Sequence, residues 1–268
     1  MDQPRSPLLT LDDARREIDE IDLRILSLLE QRFNASRLIR QIKAQEPGNA
    51  TGSPVRPARE SAILRRLLES ASGSVPPAVV VQIWRRIISA STLLQAPAVV
   101  RCPEQLFADP DMRSQIRDHF GTIPVTAVPD EESALKAVRD RAAEVAVVPL
   151  GGYWVQPFLE KAGGDASVIG VLPLLSDGGH PDAVVIGHAL AERTGADETL
   201  VVTSGRLPRD FVPAPLWDVQ TEDGHRLTSL PGFLSESEHP LIGLRRSNDL
   251  LALTVVGRYP SPLEVRSP

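Results

Sequence analysis

LDDARREIDEIDLRILSLLEQRFNASRLIRQIKAQE, residues 11–46, contains neither Gly nor Pro, and Pro47-Gly48 follows at once. Thr10 stands where an N-cap is needed. Asp12 and Asp13 fall in the first turn, where the helix dipole favours negative charge. Ile18, Ile21, Ile25, Leu28, Leu29, Ala35, Ile39 and Ile42 recur at helical spacing. The pattern predicts one helix about 50 Å long. Such a rod exceeds the width of a domain of this size, and it is apolar along most of its length. The residues up to 96 are too few to fold back over it, so the reading is an intertwined helical homodimer.

Working outward, EPGNATGSP (46–54) reads as a flexible loop. A second helix is predicted from Pro57 to Ser72, with Gly73 as its stop. A third opens at Pro76-Pro77 and runs to Gln95, with a stripe of Val80, Ile83, Trp84, Ile87, Ile88 and Leu94. Ala96-Pro97 then marks a boundary. These three helices make an all-α domain over residues 1–96.

Beyond residue 97 the texture changes. AVVR (98–101), PVTAV (124–128), VAVVPL (145–150), SVIGVLPL (167–174) and DAVVIG (182–187) are strand-like, and helix-like stretches 109–119 and 130–142 separate the first three. That alternation predicts an α/β domain over 97–268 with a mostly parallel sheet. ETLVVTS (198–204), PLWDVQT (215–221) and LLALTVVGRY (250–259) fit strands of a small α+β sub-module over 195–268.

Charge divides along the same line. The 268 residues carry 29 Lys+Arg and 35 Asp+Glu, a net −6. Residues 1–96 hold 14 and 11 of these, a net +3, which leaves −9 for the rest. An excess of three suits a small anion and is too sparse for a nucleic-acid stripe. No apolar run reaches the roughly 18 residues of a membrane span, and no secretory leader is visible, so a cytoplasmic location is expected. Cys102 is the single cysteine, which excludes an internal disulfide or a Cys-cluster zinc site. The histidines show no metal-type spacing. Cys102 itself, the DGGH turn (Asp177 to His180) and Arg245-Arg246 read as inert packing, a turn and solvated surface.

Polar residues on the apolar helix faces are the candidates for chemistry. Arg32 interrupts the heptad of Ile18, Ile25 and Ile39, and Lys43, three turns on, points nearly the same way. Arg15 lies about 100° around the axis from Arg32 and could serve the pocket of a partner chain. Arg59-Glu60 opens the second helix, and Ser91 and Gln95 form an i,i+4 pair on the third. Several inward cations without matching acids would be costly in a dry core, and a small dianion would offset that cost.

Residues 11–95 resemble the all-helical (AroQ-class) chorismate mutases. The strings that carry the resemblance are ARREIDEIDLRILSLLEQRFNASRLIRQIK, PVRPARESAILRRL and VVQIWRRIISASTLLQ. The resemblance implies that chorismate is the substrate, that prephenate is the product of a Claisen rearrangement within aromatic amino acid biosynthesis, and that no cofactor or metal is needed. It implies catalytic roles for Arg32, Lys43, Glu60 and Gln95, with Arg15, Arg59 and Ser91 in substrate binding. Arg32 and Arg15 (the latter from the second subunit) would clamp carboxylates. Lys43 and Gln95 would donate to the ether oxygen, and Glu60 would accept from the substrate hydroxyl. Where many members have an Asp three residues before the Arg-Glu pair, this chain has Arg56. An isochorismate-pyruvate lyase, or a non-catalytic protein that senses chorismate or an aromatic amino acid, stays open as an alternative.

The second half is similar in part to prephenate dehydratases, through AEVAVVPLGG (143–152) and ASVIGVLPLL (166–175). The family's Thr-Arg-Phe motif is not visible, and Gly151-Gly152 replaces its acidic-amide pair. The resemblance therefore implies a degenerate scaffold or regulatory module without dehydratase activity, and residues 198–259 could form an ACT-like unit.

Overall fold

The computed structural model describes residues 10–45, 53–71, 73–160, 166–176, 178–247 and 252–264; the side chains of 43, 44 and 245–247 lie outside the description. The expected loop at 46–54 thus falls mostly outside the described residues, as do Asp177 and the side chains of Arg245 and Arg246. The chain divides into two compact units, residues 1–47 and 48–268.

The first unit is one helix, α1 (Leu11–Gln45). Its start follows from its sequence. The Thr10 Oγ1 accepts from the Asp13 N–H at 3.1 Å, and the Asp13 carboxylate accepts the Thr10 N–H at 3.0 Å and its hydroxyl at 2.6 Å. That reciprocal cap satisfies N–H groups that the first turn leaves without helical partners. Along α1, Ile18, Ile21, Leu23, Ile25, Leu26, Leu28, Leu38 and Ile42 are exposed in the single chain.

The second unit opens with α2 (Pro57–Ser70) and α3 (Pro77–Gln95), each with Pro in its first turn. There follow β1 (Val99–Pro103), α4 (Glu104–Ala108), α5 (Pro110–Phe120), β2 (Val125–Val128), α6 (Glu131–Asp140), β3 (Glu144–Pro149), α7 (Val155–Glu160) and β4 (Ser167–Leu172). The chain continues through β5 (Leu175–Ser176), β6 (Ala183–Gly187), β7 (Asp197–Thr203), β8 (Trp217–Gln220), β9 (Arg226–Pro231), α8 (Leu241–Ser247), β10 (Leu253–Pro260) and β11 (Leu263–Glu264). The main sheet has the order β2-β1-β3-β6-β4-β10-β7-β9-β8, and β5 pairs with β11 beside it. The protein as a whole is therefore a helical region followed by a sheet-rich domain, and only its N-terminal part is all-helical.

The expectation of a mostly parallel sheet holds only locally. β1 pairs in parallel with β2 and β3, and β10 with β4. β6 inserts antiparallel between β3 and β4, and β7, β8 and β9 are antiparallel to their neighbours. β3 shows why its sequence is a continuous apolar run. Val145 and Val147 enter the core beneath α5, while Ala146 and Val148 enter the core beneath α6 and α7. A strand covered on both faces has no polar side to show.

Within the second unit α2 and α3 pack on the sheet elements, across the 96/97 boundary drawn from the sequence. α3 docks on the end of α5 at Gly121, whose backbone lies at φ +61°. A Cβ there would overlap the Ser89 hydroxyl and stand 2.8 Å from the Arg85 carbonyl oxygen. Ser89 exchanges hydrogen bonds with Thr122 at 2.9 and 3.0 Å. The buried residues of α3 are Val80, Val81, Arg85, Ile88, Ser89, Ser91 and Thr92. Of the predicted stripe, Val80 and Ile88 are buried but Ile83 is 47 % exposed, because α5 meets the helix on its Arg85 side. On α2, Arg65 donates to Thr194 Oγ1 at 3.0 Å and to the carbonyls of Ala196 and Ser261 at 3.0 and 2.8 Å. Three acceptors from two loops fix this helix to the strand ends.

Candidate functional site

The predicted residues fall into two sets. Arg15, Arg32 and Lys43 lie on α1. Arg15 is solvent-exposed beside Asp12, 3.5 Å away. Arg32 is half-buried, and its carbonyl accepts from the Ser36 hydroxyl at 3.1 Å. The backbone of Lys43 continues the helix, and its side chain lies outside the described residues.

Arg59, Glu60, Ser91 and Gln95 belong to the second unit. Arg59 is exposed. Glu60, one turn into α2, is buried at 8 % exposure. Its Oε2 accepts from Arg85 Nη1 at 2.5 Å, and its Oε1 accepts the Arg56 N–H at 3.2 Å. The Arg56 side chain points elsewhere, to Glu192. Ser91 is buried and bonds the Ile87 carbonyl at 2.8 Å, while half-buried Gln95 reaches the Ser91 carbonyl at 3.3 Å.

Sequence reasoning missed Arg85. The residue is 5 % exposed, and besides Glu60 it donates through Nε to the His119 carbonyl. Burial and the neighbouring Arg85 charge push the His119 imidazole well below the usual histidine range, so it is neutral. The signal was available: Arg85 lies four residues after Val81 and four before Ser89, on the buried face. Glu60, Ser61, Arg85 and His119 border a cavity of about 40 Å³. Ser61 Oγ and His119 Nδ1 are buried there without a hydrogen-bond partner among the described residues. That space admits groups of water size and not a six-membered ring.

At the end of β3, Gly151-Gly152 has a second acid against it. A Cβ on Gly152 would overlap the Glu131 carboxylate. Glu131 accepts the Tyr153 N–H, and its Oε2 is buried without a partner. Burial, with Glu222, Asp223 and Asp130 nearby, pushes its carboxyl up to about 7. The β8–β9 turn closes over the segment, with Glu222 N–H bonded to the Gly151 carbonyl at 2.8 Å and Gln156 N–H to Asp223 Oδ2 at 2.8 Å. The space an amide side chain would need is filled by the chain's own acid. Cys102 is fully buried, and burial pushes its thiol up to about 12, which leaves no thiolate for chemistry at neutral pH.

Comparison with known proteins gives these residues a context. Residues 14–96 match the family chorismate mutase type II. A bifunctional chorismate mutase/prephenate dehydratase of Neisseria gonorrhoeae is 31 % identical over 139 residues, which is 51 % of this chain and 36 % of the relative. The chain thus spans about a third of the length of that curated relative. An alignment of that length must run past residue 96. Among solved structures, the quorum-quenching acylase GqqA covers 61 % of this chain and 95 % of its own, at a TM-score of 0.39 and 12 % identity. Prephenate dehydratase of Streptococcus mutans covers 60 % and 97 %, at 0.35 and 10 %. Likenesses this loose carry no argument about function. Among the described residues no helix is long and apolar enough to cross a membrane.

Proposed function

We propose that this chain, whose residues 14–96 carry a chorismate mutase type II domain, rearranges chorismate to prephenate in aromatic amino acid biosynthesis. The observation that carries the reading is that the family match contains all seven candidate residues, from Arg15 to Gln95, in three helices. An intramolecular rearrangement needs neither a nucleophile nor a proton shuttle. The protein must hold the reactive conformer and stabilise negative charge growing on the ether oxygen.

In this mechanism Arg32, with Arg15 from the second subunit, clamps the substrate carboxylates by charge-assisted bonds. Lys43 and Gln95 donate to the ether oxygen. Glu60 accepts from the substrate hydroxyl, held in place by Arg85, while Arg59 and Ser91 support the bound ring. The working form is a homodimer in the cytoplasm. The exposed Ile and Leu residues of α1, together with Val75 just before α3 and Val79 and Ile83 in its first two turns, provide the apolar faces that a second copy would cover.

The test is loss of chorismate absorbance, with pyruvate and phenylpyruvate measured alongside before acid treatment. Prephenate as the product supports the proposal. Pyruvate would identify a lyase, phenylpyruvate a working dehydratase, and no turnover a sensing protein. Lys43→Ala is expected to lower kcat at least about 100-fold, because an aimed cation in a water-poor site stabilises the developing charge by several kcal/mol. Near-normal turnover in that variant rejects the role of Lys43.

A further inference from the structure

A half-open cavity of the second unit lies over Glu198 on β7, far along the chain from the seven candidate residues. This cavity measures about 280 Å³, several times the space beside Glu60. That is room for about ten non-hydrogen atoms. Pro173, Pro181, Leu216, Trp217, Pro231 and Pro262 give its walls a mainly hydrocarbon surface, and Ser176, His180, Ser261 and Glu264 are polar members of the lining.

Glu198 is 5 % exposed. Ser229 Oγ donates to its Oε2 at 2.6 Å, and the Tyr259 hydroxyl donates to the same oxygen at 3.3 Å. The side chains of Ser261 and Trp217 donate as well. All four partners are neutral donors from three strands and a loop. They orient a carboxylate but bring no positive charge to it, and among the described residues no Lys or Arg lines the cavity. A buried carboxylate without a cation is costly. Burial accordingly pushes the Glu198 carboxyl upward against the pull of its four donors.

The geometry points to a binding site for a small apolar molecule that carries a primary ammonium group. The ammonium would pair with Glu198 and supply the positive charge that the described Lys and Arg residues do not bring there, and the hydrocarbon body would lie among the prolines and Trp217. An anion does not fit, because Glu264 joins Glu198 in the lining. A divalent metal does not fit either: among the described residues no group of three His, Cys, Asp or Glu is placed to hold one. The site uses none of the residues assigned to chorismate, so it stands or falls independently of the mutase reading.

The experiment is calorimetric titration of the full chain at pH 7 with 2-phenylethylamine, and with 3-phenylpropanoate as a probe of similar shape and opposite charge. The amine is expected to bind with a Kd below about 1 mM, and the acid at least tenfold more weakly. Glu198→Gln keeps the shape and removes the charge. Leu216→Lys changes an exposed residue, 52 % accessible, and sets a cation in the wall. Circular dichroism establishes which variants fold. A loss of at least tenfold in amine affinity in every variant that folds supports the site. No binding of the amine, equal binding of the acid, or unchanged affinity in either folded variant overturns it.

Discussion

Removing Arg85 should destabilise the second unit far more than removing Arg85 and Glu60 together. Both groups are buried, at 5 % and 8 % exposure, and they face each other at 2.5 Å. Arg85→Met leaves the Glu60 carboxylate buried without its cation and frees the His119 carbonyl. Breaking one side of such a pair costs about 3–5 kcal/mol, whereas exchanging both partners for uncharged groups of similar size is often close to neutral. For a unit of this length, 1 kcal/mol corresponds to roughly 2–4 °C in Tm, so Arg85→Met should lower Tm by about 10 °C. The double variant Glu60→Gln/Arg85→Met should regain most of that loss, with a coupling energy of about 2 kcal/mol or more. Urea titrations of the wild type, both single variants and the double variant, followed by circular dichroism, close the cycle. A loss under about 1 kcal/mol for Arg85→Met, or simple additivity of the two changes, would refute the claim that the pair acts as one buried unit. The same cycle bears on function, because the proposed acceptor for the substrate hydroxyl is held by Arg85.

Two further outcomes follow from other parts of the molecule. Glu131 has its carboxyl raised to about 7 from an ordinary 4.5. The folded state therefore holds the proton more tightly than the unfolded one, and the contribution is full below pH 4.5 and lost as pH rises through 7. The shift alone would correspond to about 3.4 kcal/mol, and screening at a half-exposed group reduces this to about 1–2 kcal/mol. Glu131→Gln should flatten the decline in stability between pH 4.5 and 7, and an unchanged slope in urea titrations across that window would refute the assignment. A chain cut after residue 96 should lose the packing of α2 and α3 on the sheet domain, because the acceptors of Arg65 and of Arg85 Nε, and the Thr122 partner of Ser89, lie at residues 119–122, 194–196 and 261. Its far-ultraviolet helicity should fall and its chorismate turnover should drop at least about tenfold; full activity in the cut chain would show that the sheet is dispensable.

How far the fold could be read from the sequence depends on which physical signal each element carries. α1 was legible from end to end, because its cap, its acidic first turn and its Pro-Gly stop are all local. β1, β2 and β3, with α5 and α6 between them, were legible as an alternating pattern. The direction of β6 was not. All five of its residues are buried, so it reads like a strand of a parallel sheet although it runs antiparallel to both neighbours. β9 escaped notice because its buried core is half hydroxyl-bearing, with Thr228 and Ser229 among Leu227 and Leu230. Hydroxyls so placed are satisfied by tertiary partners, Asp218 and Glu198, that no window of sequence displays. The same holds for the buried face of α3. Ile83 and Trp84 outrank Arg85 and Ser89 in hydrophobicity, and only the distant Glu60, His119 and Thr122 make the polar pair the inner one.

The division of the candidate site follows from that packing. The three cations Arg15, Arg32 and Lys43 ride on a helix that forms a unit of its own, while Glu60, Ser91 and Gln95 ride on helices fixed to the sheet. Substitutions in the sheet domain, far from Glu60, Ser91 and Gln95, can therefore move these three residues. The segment Pro260–Pro262 is the position where this applies most directly. Ser261 accepts Arg65 of α2 through its carbonyl at 2.8 Å, its side chain donates to Glu198, and its flanking prolines border the cavity beside Glu60. One short segment thus touches the carboxylate of the amine-binding cavity and the helix that carries the proposed substrate-hydroxyl acceptor. Packed interiors do not yield by small continuous amounts. Any occupant that moves Ser261 must strain the Arg65 contacts or shift α2 with them, which makes the sheet domain a physical determinant of where Glu60 stands.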